Sequence, residues 1–499
     1  MIRRDSCDSA IVQPAALLPW GRWMGDSKPS IGGVAFSAET CQPGDMVVID
    51  CVHPDPERAI ADALAGGASC LLCEQLLPCP LPQCIVPCAT SAAAVLQHAL
   101  AECPGEAVFT IGVVGPAGKT STSLLIAAAL RAGGYRTAYH TDLGTGDGIV
   151  QETPRARPQR AEDYIDWLAS ARDCGCSIAV LEIDTTTLAS HCLVPIQLDM
   201  LVVTGDPGRI GEFGPQVLEQ ALDSLRPSGL AVVSADSTQT VRRLKDADVR
   251  HVTYGLRKTA DVSAKIFDQV RGQTTVMVTA GDTTAVMETS LTGSGMTSNQ
   301  LAAITVAVMT EQPLVNAIAA VSKIRQIPGR LDRIAGYDRP TVVLDDADNA
   351  ERLGDVLRGL RRERQGGKLW CVLAAAQCNC DDDRARLGQT TERYADHVIY
   401  TSGTAGKKRF LQAAHAMLDG VAEPGKPRLV ADRQRAIAWA IQHAAANDII
   451  LIAGGYPDQS PQQHRCAIEA DRGAVQEALA PGEDLPQDMI LKFPAAAGL

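Results

Sequence analysis

Phe109-Thr-Ile-Gly-Val-Val-Gly-Pro-Ala-Gly-Lys-Thr-Ser-Thr-Ser123 starts as an apolar run, closes on Gly115-Pro-Ala-Gly118-Lys119-Thr120, and passes at once into the apolar-periodic segment 124–131. This order reads as strand, glycine-rich loop, helix. Glycines let successive main-chain N–H groups curl round a phosphate, and the helix start adds the positive end of its dipole. In that arrangement Lys119 reaches the β- and γ-phosphates of ATP and the Thr120 hydroxyl sits on Mg²⁺, with Gly115, Gly118 and Ser121 completing the cradle. The loop is one residue pair shorter than the common G-x-x-x-x-G-K-[ST] form, so the context of strand before and helix after carries much of the reading. The alternative is a glycine-rich turn without ligand, in which a Lys-Thr pair at a helix start has little structural purpose.

Working outward, the chain has 499 residues, enough for about two to four domains. Hydrophobic residues make up 46% and aromatic residues only 4%, so its cores are built from Ala, Leu, Val and Ile. Strand-like runs alternate with helical patterns along most of the length, which predicts an α/β chain. The net charge of −12, with no basic stripe, disfavours nucleic acid as the main partner. No apolar run is long enough for a membrane span. Met1-Ile-Arg-Arg-Asp-Ser6 lacks a following apolar core, so no signal peptide is read and a cytoplasmic protein is expected. The 16 cysteines are then expected as reduced thiols. Cys70 and Cys73 lie in a buried-strand pattern, where ligands three apart face opposite sides, so a zinc cluster with Cys79, Cys84 and Cys88 is not expected.

Three domains emerge. Residues 1–105 form a small α/β domain with strands at 45–51, 68–74 and 84–86, helices at 57–65 and 91–102, and a linker at 103–107. Residues 106–330 form a central P-loop ATP-binding domain. Its further strands are expected at 177–183, 198–204, 229–234 and 251–254, with antiparallel additions at 260–267, 274–279 and 285–291 and a helix at about 298–309. Residues 331–499 form a Rossmann-like unit with strands at 341–344, 369–374, 397–400 and 448–453 and helices at 350–364 and 433–446.

Several landmarks then resemble the Mur ligase family, of the type that adds the third residue to a UDP-N-acetylmuramyl peptide. Cys41-Gln-Pro-Gly-Asp45 with Leu71-Leu-Cys-Glu74 resembles the family's UDP-substrate-recognition domain. Gly115 to Ser121 resembles its phosphate loop, Leu181-Glu182 its strand with a metal-binding glutamate, and Thr153-Pro154 its substrate-contacting pair. Asn299 with Ala302-Ala303 resembles the asparagine that meets adenine, Pro328-Gly-Arg330-Leu-Asp332 the arginine-bearing hinge, and Val343-Leu-Asp345 the first strand of the last domain. The resemblance covers nearly the whole chain. It implies an ATP-dependent ligase joining a carboxylate to an amine through an acyl phosphate, in peptidoglycan synthesis. Lys119 would hold phosphates, Thr120 and Glu182 Mg²⁺, and Asn299 and Arg330 the nucleotide. Asp345 would help fix the nucleotide side of the cleft. The family also suggests a monomer whose last domain closes over ATP. As plain structure, Glu182 and Asp345 read as strand-end carboxylates, Arg330 as a hinge charge and Asn299 as a helix N-terminal residue.

The departures fall on the chemistry. Active members of the family carry a carbamoylated lysine, yet no lysine lies between Lys119 and Lys245; the expected position falls near Asp223. A metal-binding histidine should follow 198–204, yet none lies between His191 and His251; Asp206 or Asp223 is the candidate oxygen ligand. The substrate arginine reads Cys192, the uracil-end Asp-Ser-Arg reads Ser37-Ala-Glu39, and Tyr-Ala-His reads Asp346-Ala-Asp348. The Asp-Asn-Pro-Arg loop reads Gly403-Thr-Ala-Gly406, with Lys407 and Lys408 just beyond, and Gly-Lys-Gly-His-Glu reads Gly454-Gly-Tyr-Pro-Asp458. Two expectations therefore stand: a divergent ligase, or a non-catalytic paralogue that binds ATP as a regulatory or scaffold protein.

Overall fold

The computed structural model describes residues 11–479 apart from 155–157, 159, 191, 209–212, 271, 335–337, 365, 375–379, 404–406 and 457–459. Among the described residues the strands form three sheets.

The first sheet holds β1 (Arg22–Met24), β2 (Val34–Ala35), β3 (Met46–Ile49), β4 (Cys70–Cys73) and β5 (Gln83–Ile85), in the order β1-β5-β4-β3-β2. Its pleat sorts β4 as the sequence predicts. Cys70 and Leu72 enter one core cluster, Leu71 and Cys73 the other. Burial pushes the two thiols up, Cys70 to about 12 and Cys73 to about 11, so both stay protonated and apolar in character. The expected linker at 103–107 is instead a short docked helix, Pro104–Ala107. Pro104 presets the helical φ at the first position. The Gly105 N–H donates to His98 Nε2 at 3.2 Å, and Arg226 donates to Gly105 O at 2.9 Å.

The second sheet runs β6 (Phe109–Val114), β7 (Thr137–Thr141), β8 (Gly144–Gly146), β9 (Gln151–Glu152), β10 (Ile178–Glu182), β11 (Leu198–Val203), β12 (Leu225–Ser234), β13 (His251–Gly255), β14 (Val262–Val270), β15 (Gln273–Ala280) and β16 (Thr283–Thr289) along the chain. In space the order is β16-β15-β14-β13-β12-β11-β6-β10-β7-β8-β9. The centre, β7-β10-β6-β11-β12-β13, is parallel. The antiparallel pairings β14–β15 and β15–β16 are the added strands that the alternating runs predict. Helix Lys119–Ala132 packs with helix Ser294–Met309 in one cluster that includes Leu125, Ile126, Leu301 and Ile304. The latter helix begins four residues before the expected 298, because Gly293 (φ +95°) turns the chain and its carbonyl accepts from Thr297 Oγ1 at 3.1 Å. Asn299 is thus inside the helix rather than at its N-terminus.

The third sheet holds β17 (Asp332–Ile334), β18 (Thr341–Asp345), β19 (Leu369–Ala374), β20 (His397–Thr401), β21 (Arg428–Val430) and β22 (Ile449–Gly454), ordered β17-β18-β22-β19-β20-β21. Leu353, Leu387 and Met417 cover one face, from helices Ala350–Glu363, Asp381–Tyr394 and Lys407–Asp419. Ile437 and Val475 cover the other, from helices Arg433–His443 and Pro461–Leu479. Helices on both faces of a mostly parallel sheet are the doubly wound arrangement. No helix among the described residues is long and apolar enough to cross a membrane.

Candidate nucleotide and carboxylate site

The glycine-rich loop joins β6 to helix Lys119–Ala132 at the centre of the parallel sheet. Two of its glycines are required by geometry. Gly115 has φ +144°, and a Cβ there would lie 2.1 Å from Thr204 Oγ1; Gly118 has φ +80°, and a Cβ there would lie 2.4 Å from Asn299 Oδ1. Thr204 follows β11 and donates to Ala117 O at 2.6 Å, which ties the loop to the neighbouring strand end. Asn299 is packed against the loop itself. Gly118→Ala therefore meets both backbone strain and a side-chain clash. A loss of about 1–3 kcal/mol in urea-unfolding free energy is expected, together with weakened ATP binding; an unchanged unfolding midpoint would show that the loop yields freely.

Lys119 Nζ donates to Gly115 O at 3.3 Å. One residue on, Thr120 Oγ1 donates to Glu182 Oε1 at 2.8 Å, and the Asp142 N–H donates to Glu182 Oε2 at 3.0 Å. Thr120 is 4% exposed and Glu182 6%. Burial, then the nearby Asp142 charge, pushes the Glu182 carboxyl up, against the pull of Lys119 and its hydrogen bonds. The structure thus brings Lys119, Thr120 and Glu182 together from two elements. Ser121, also buried, lies in the helix's first turn.

A cavity opens beside Glu182, with His140, Asp142, Asp184, Tyr164 and Thr187 on its walls, and Pro154 and Pro461 also lining it. Tyr164 Oη and Thr187 Oγ1 are 3.0 Å apart. The His140 ring is 5.2 Å from Tyr164 and 5.6 Å from Trp167, centroid to centroid. Burial lowers its pKa from 6.5 to about 4. The folded state then binds fewer protons than the unfolded chain between those values. This contribution is complete above pH 6.5 and is lost as pH falls toward 4. Urea unfolding should show that decline, and His140→Phe should flatten part of it; an identical pH profile in the variant would refute the assignment.

The last domain contributes a charged cluster. Asp345, at the end of β18, accepts from Leu331 N and Ala347 N, each at 2.9 Å, so both its oxygens brace the hinge backbone. Arg330 pairs with Asp346 at 2.5 Å and donates to Gly329 O at 3.2 Å. Arg352 pairs with Asp348 at 3.1 Å and lies 3.7 Å from Asp346. Burial pulls the Arg352 pKa down, but Asp346, then Asp348, Asp345 and Asp142 from the central domain, outweigh it and hold it above the usual arginine value.

The other sequence candidates lie apart from this group. Asp206 Oδ1 accepts from Thr240 N (2.9 Å) and Thr240 Oγ1 (3.1 Å), capping the helix Thr238–Asp246. Asp223 is exposed at the end of helix Pro215–Asp223. Cys192 is fully buried, its thiol 3.5 Å from Ser190 Oγ. Residues 404–406 and 457–458, within the two altered substrate motifs, lie outside the described residues, as do the side chains of Lys407 and Lys408. Among the described residues no group of three or more His, Cys, Asp or Glu side chains could hold a metal ion. Sequence reasoning missed Thr204, whose role depends on a strand neighbour, and the Asp142 N–H.

Residues 219–307 match the Mur ligase middle domain, and residues 329–456 match the Mur ligase glutamate ligase domain. The chain carries a Mur ligase middle domain and a Mur ligase glutamate ligase domain. It is 27% identical over 497 residues to a UDP-N-acetylmuramoyl-L-alanyl-D-glutamate–2,6-diaminopimelate ligase of Ralstonia nicotianae, covering 93% of this chain and 96% of that one. It is 28% identical over 447 residues to a UDP-N-acetylmuramyl-tripeptide synthetase of Deinococcus radiodurans, covering 86% and 90%. A solved diaminopimelate ligase structure superposes with a TM-score of 0.65 at 23% identity, covering 93% of this chain and all of that one. A Thermotoga maritima MurF ligase in complex with ADP superposes with a TM-score of 0.59 at 17% identity, covering 90% and 97%. These two likenesses establish the Mur ligase fold.

Proposed function

We propose that this chain is an ATP-dependent ligase of the cytoplasm. It would join the carboxylate of a muramyl-peptide-like substrate to an amine through an acyl phosphate, in peptidoglycan precursor synthesis. The observation that carries this reading is the Lys119–Thr120–Glu182 arrangement at the loop-to-helix junction, with Thr120 and Glu182 in direct contact at 2.8 Å. Two buried oxygen donors suit Mg²⁺, which binds through one or two protein ligands and completes its shell with phosphate and water. When bound there, Mg²⁺ would neutralise phosphate charge.

In this reading the protein supplies position and charge. Lys119 and the N–H groups of 115 and 117–121 hold the β- and γ-phosphates, and Asn299 orients the nucleotide beside Gly118. Thr153 and Pro154 border the carboxylate substrate in the cavity next to Glu182. That carboxylate attacks the γ-phosphorus and ADP leaves. The amine then attacks the acyl carbon, phosphate leaves with the bond pair, and the nitrogen gives up a proton to solvent. Arg330 and Asp345 act at the hinge: Asp345 fixes Leu331, and Arg330 reaches the nucleotide by exchanging its contact with Asp346.

The absent lysine and histidine favour a second reading, a paralogue that binds ATP without turning it over. Calorimetry with ATP and Mg²⁺, together with phosphate release against UDP-muramyl peptides and amino acids, separates the two. Binding with substrate-stimulated release supports the ligase. Binding with no release supports the nucleotide-binding paralogue. No binding refutes both.

A further inference from the structure

The arginine that would grip a peptide carboxylate is missing at Cys192, which is buried in the core. Among the described residues, the lining of the cavity beside Glu182 does not replace it. Its walls carry Asp142, Glu182 and Asp184 and, among the described residues, no lysine or arginine.

A guanidinium from the last sheet's side does reach Thr153, the residue before the lining Pro154. Helix Pro461–Leu479 starts with its first residue, Pro461, as one wall and Pro154 as another. One turn along the helix, Arg465 spans the domain boundary and donates from NH1 to Thr153 Oγ1 at 2.9 Å. Its Nε donates to Glu469 Oε1 at 3.0 Å, one helical turn further on, which restrains the guanidinium beside its own helix. The side chain is 54% exposed, so the guanidinium keeps donor capacity for a ligand. Its charge is also felt by the Tyr139 hydroxyl, on the strand that leads to Asp142.

We propose that Arg465 is a carboxylate-recognising arginine, supplied by the last domain to the Thr153–Pro154 side of the central cavity. This rests on the reading that this cavity receives the acyl substrate. It specifies the ligand class, an anionic peptide carboxylate, and places its recognition across the domain boundary. Thr153 orients the guanidinium, and the substrate forms the remaining hydrogen bonds. A substrate is then gripped only when the last domain is docked on the central one, so substrate affinity and domain docking rise together.

The test is calorimetric binding of UDP-N-acetylmuramoyl-L-alanyl-D-glutamate to the full chain, with and without a non-hydrolysable ATP analogue, in wild type, Arg465→Ala, Arg465→Lys and Thr153→Ala. ATP-analogue affinity is measured in each. Arg465→Ala should weaken the peptide at least about tenfold and leave the ATP analogue within twofold, since a charge-assisted pair is lost and the loop is untouched. Arg465→Lys should recover part of the loss, and Thr153→Ala should weaken the peptide less than Arg465→Ala. Wild-type peptide affinity in Arg465→Ala overturns the inference, as does a wild type that binds the analogue but no peptide. Peptide binding that depends on Arg465 in a chain that binds no ATP would uphold the inference and sink the ligase reading instead.

Discussion

Lys119→Ala should abolish high-affinity ATP binding while the chain stays folded. The ammonium stands in the first turn of helix Lys119–Ala132, at the positive end of the helix dipole, where a cation is disfavoured. Its hydrogen bond to Gly115 O, at 3.3 Å, is long. Removing it should therefore leave the urea midpoint nearly unchanged. A hydrogen bond to a charged phosphate oxygen contributes about 1.5–3 kcal/mol, and this ammonium can make two, so the dissociation constant should rise by about a hundredfold or more. Calorimetry with Mg²⁺ and ATP reads this directly. Affinity within twofold of wild type would mean that the loop does not hold phosphate. The neighbouring Thr120→Ala should act differently: it removes the hydroxyl from Glu182 and should make binding less dependent on Mg²⁺ concentration.

Arg433→Ala should cost stability on a larger scale. Arg433 opens the helix that follows β21 and donates through Nε and NH2 to both oxygens of Asp471, at 2.8–3.0 Å, and through NH2 to Gly454 O at 2.8 Å. Tyr456 adds its hydroxyl to Asp471 at 2.9 Å, and the guanidinium lies 5.3 Å from the Tyr456 ring centroid. The two charged side chains are 14% and 5% exposed. Truncation leaves the Asp471 carboxylate buried with a phenol for company. Breaking such a pair costs about 3–5 kcal/mol, read as a lower urea midpoint of the C-terminal transition. Arg433→Ala with Asp471→Leu should recover most of it, because an apolar side chain needs no partner. Equal loss in single and double variants would count against the pair as the cause.

Local pattern made much of the fold legible. The run 109–123 contains its own strand, turn and helix start, so it reads the same in isolation as in the sheet. The antiparallel additions were visible because alternation over 260–291 has a period of two. Helix Pro461–Leu479 was not visible: its mixed composition, from Gln462 through Arg472, carries a weak apolar stripe, and its place depends on the sheet face it covers through Val475 and Leu479. The docked turn at Pro104–Ala107 looked like a linker because Pro and Gly signal a break whether or not a neighbouring domain packs on it.

What the sequence determined by itself was the phosphate loop, the strand-end position of Glu182 and Asp345, the split of β4 between two cores, and the absence of a lysine and a histidine where the family's chemistry expects them. These follow from residue type and short periodicity. The tertiary structure alone decided which donors meet. Thr120 finds Glu182 across 62 positions and Arg465 finds Thr153 across 312. A hydrogen bond tolerates only a few tenths of an ångström, and that placement is set by how whole sheets and helices pack, for which no neighbouring residue carries a signal.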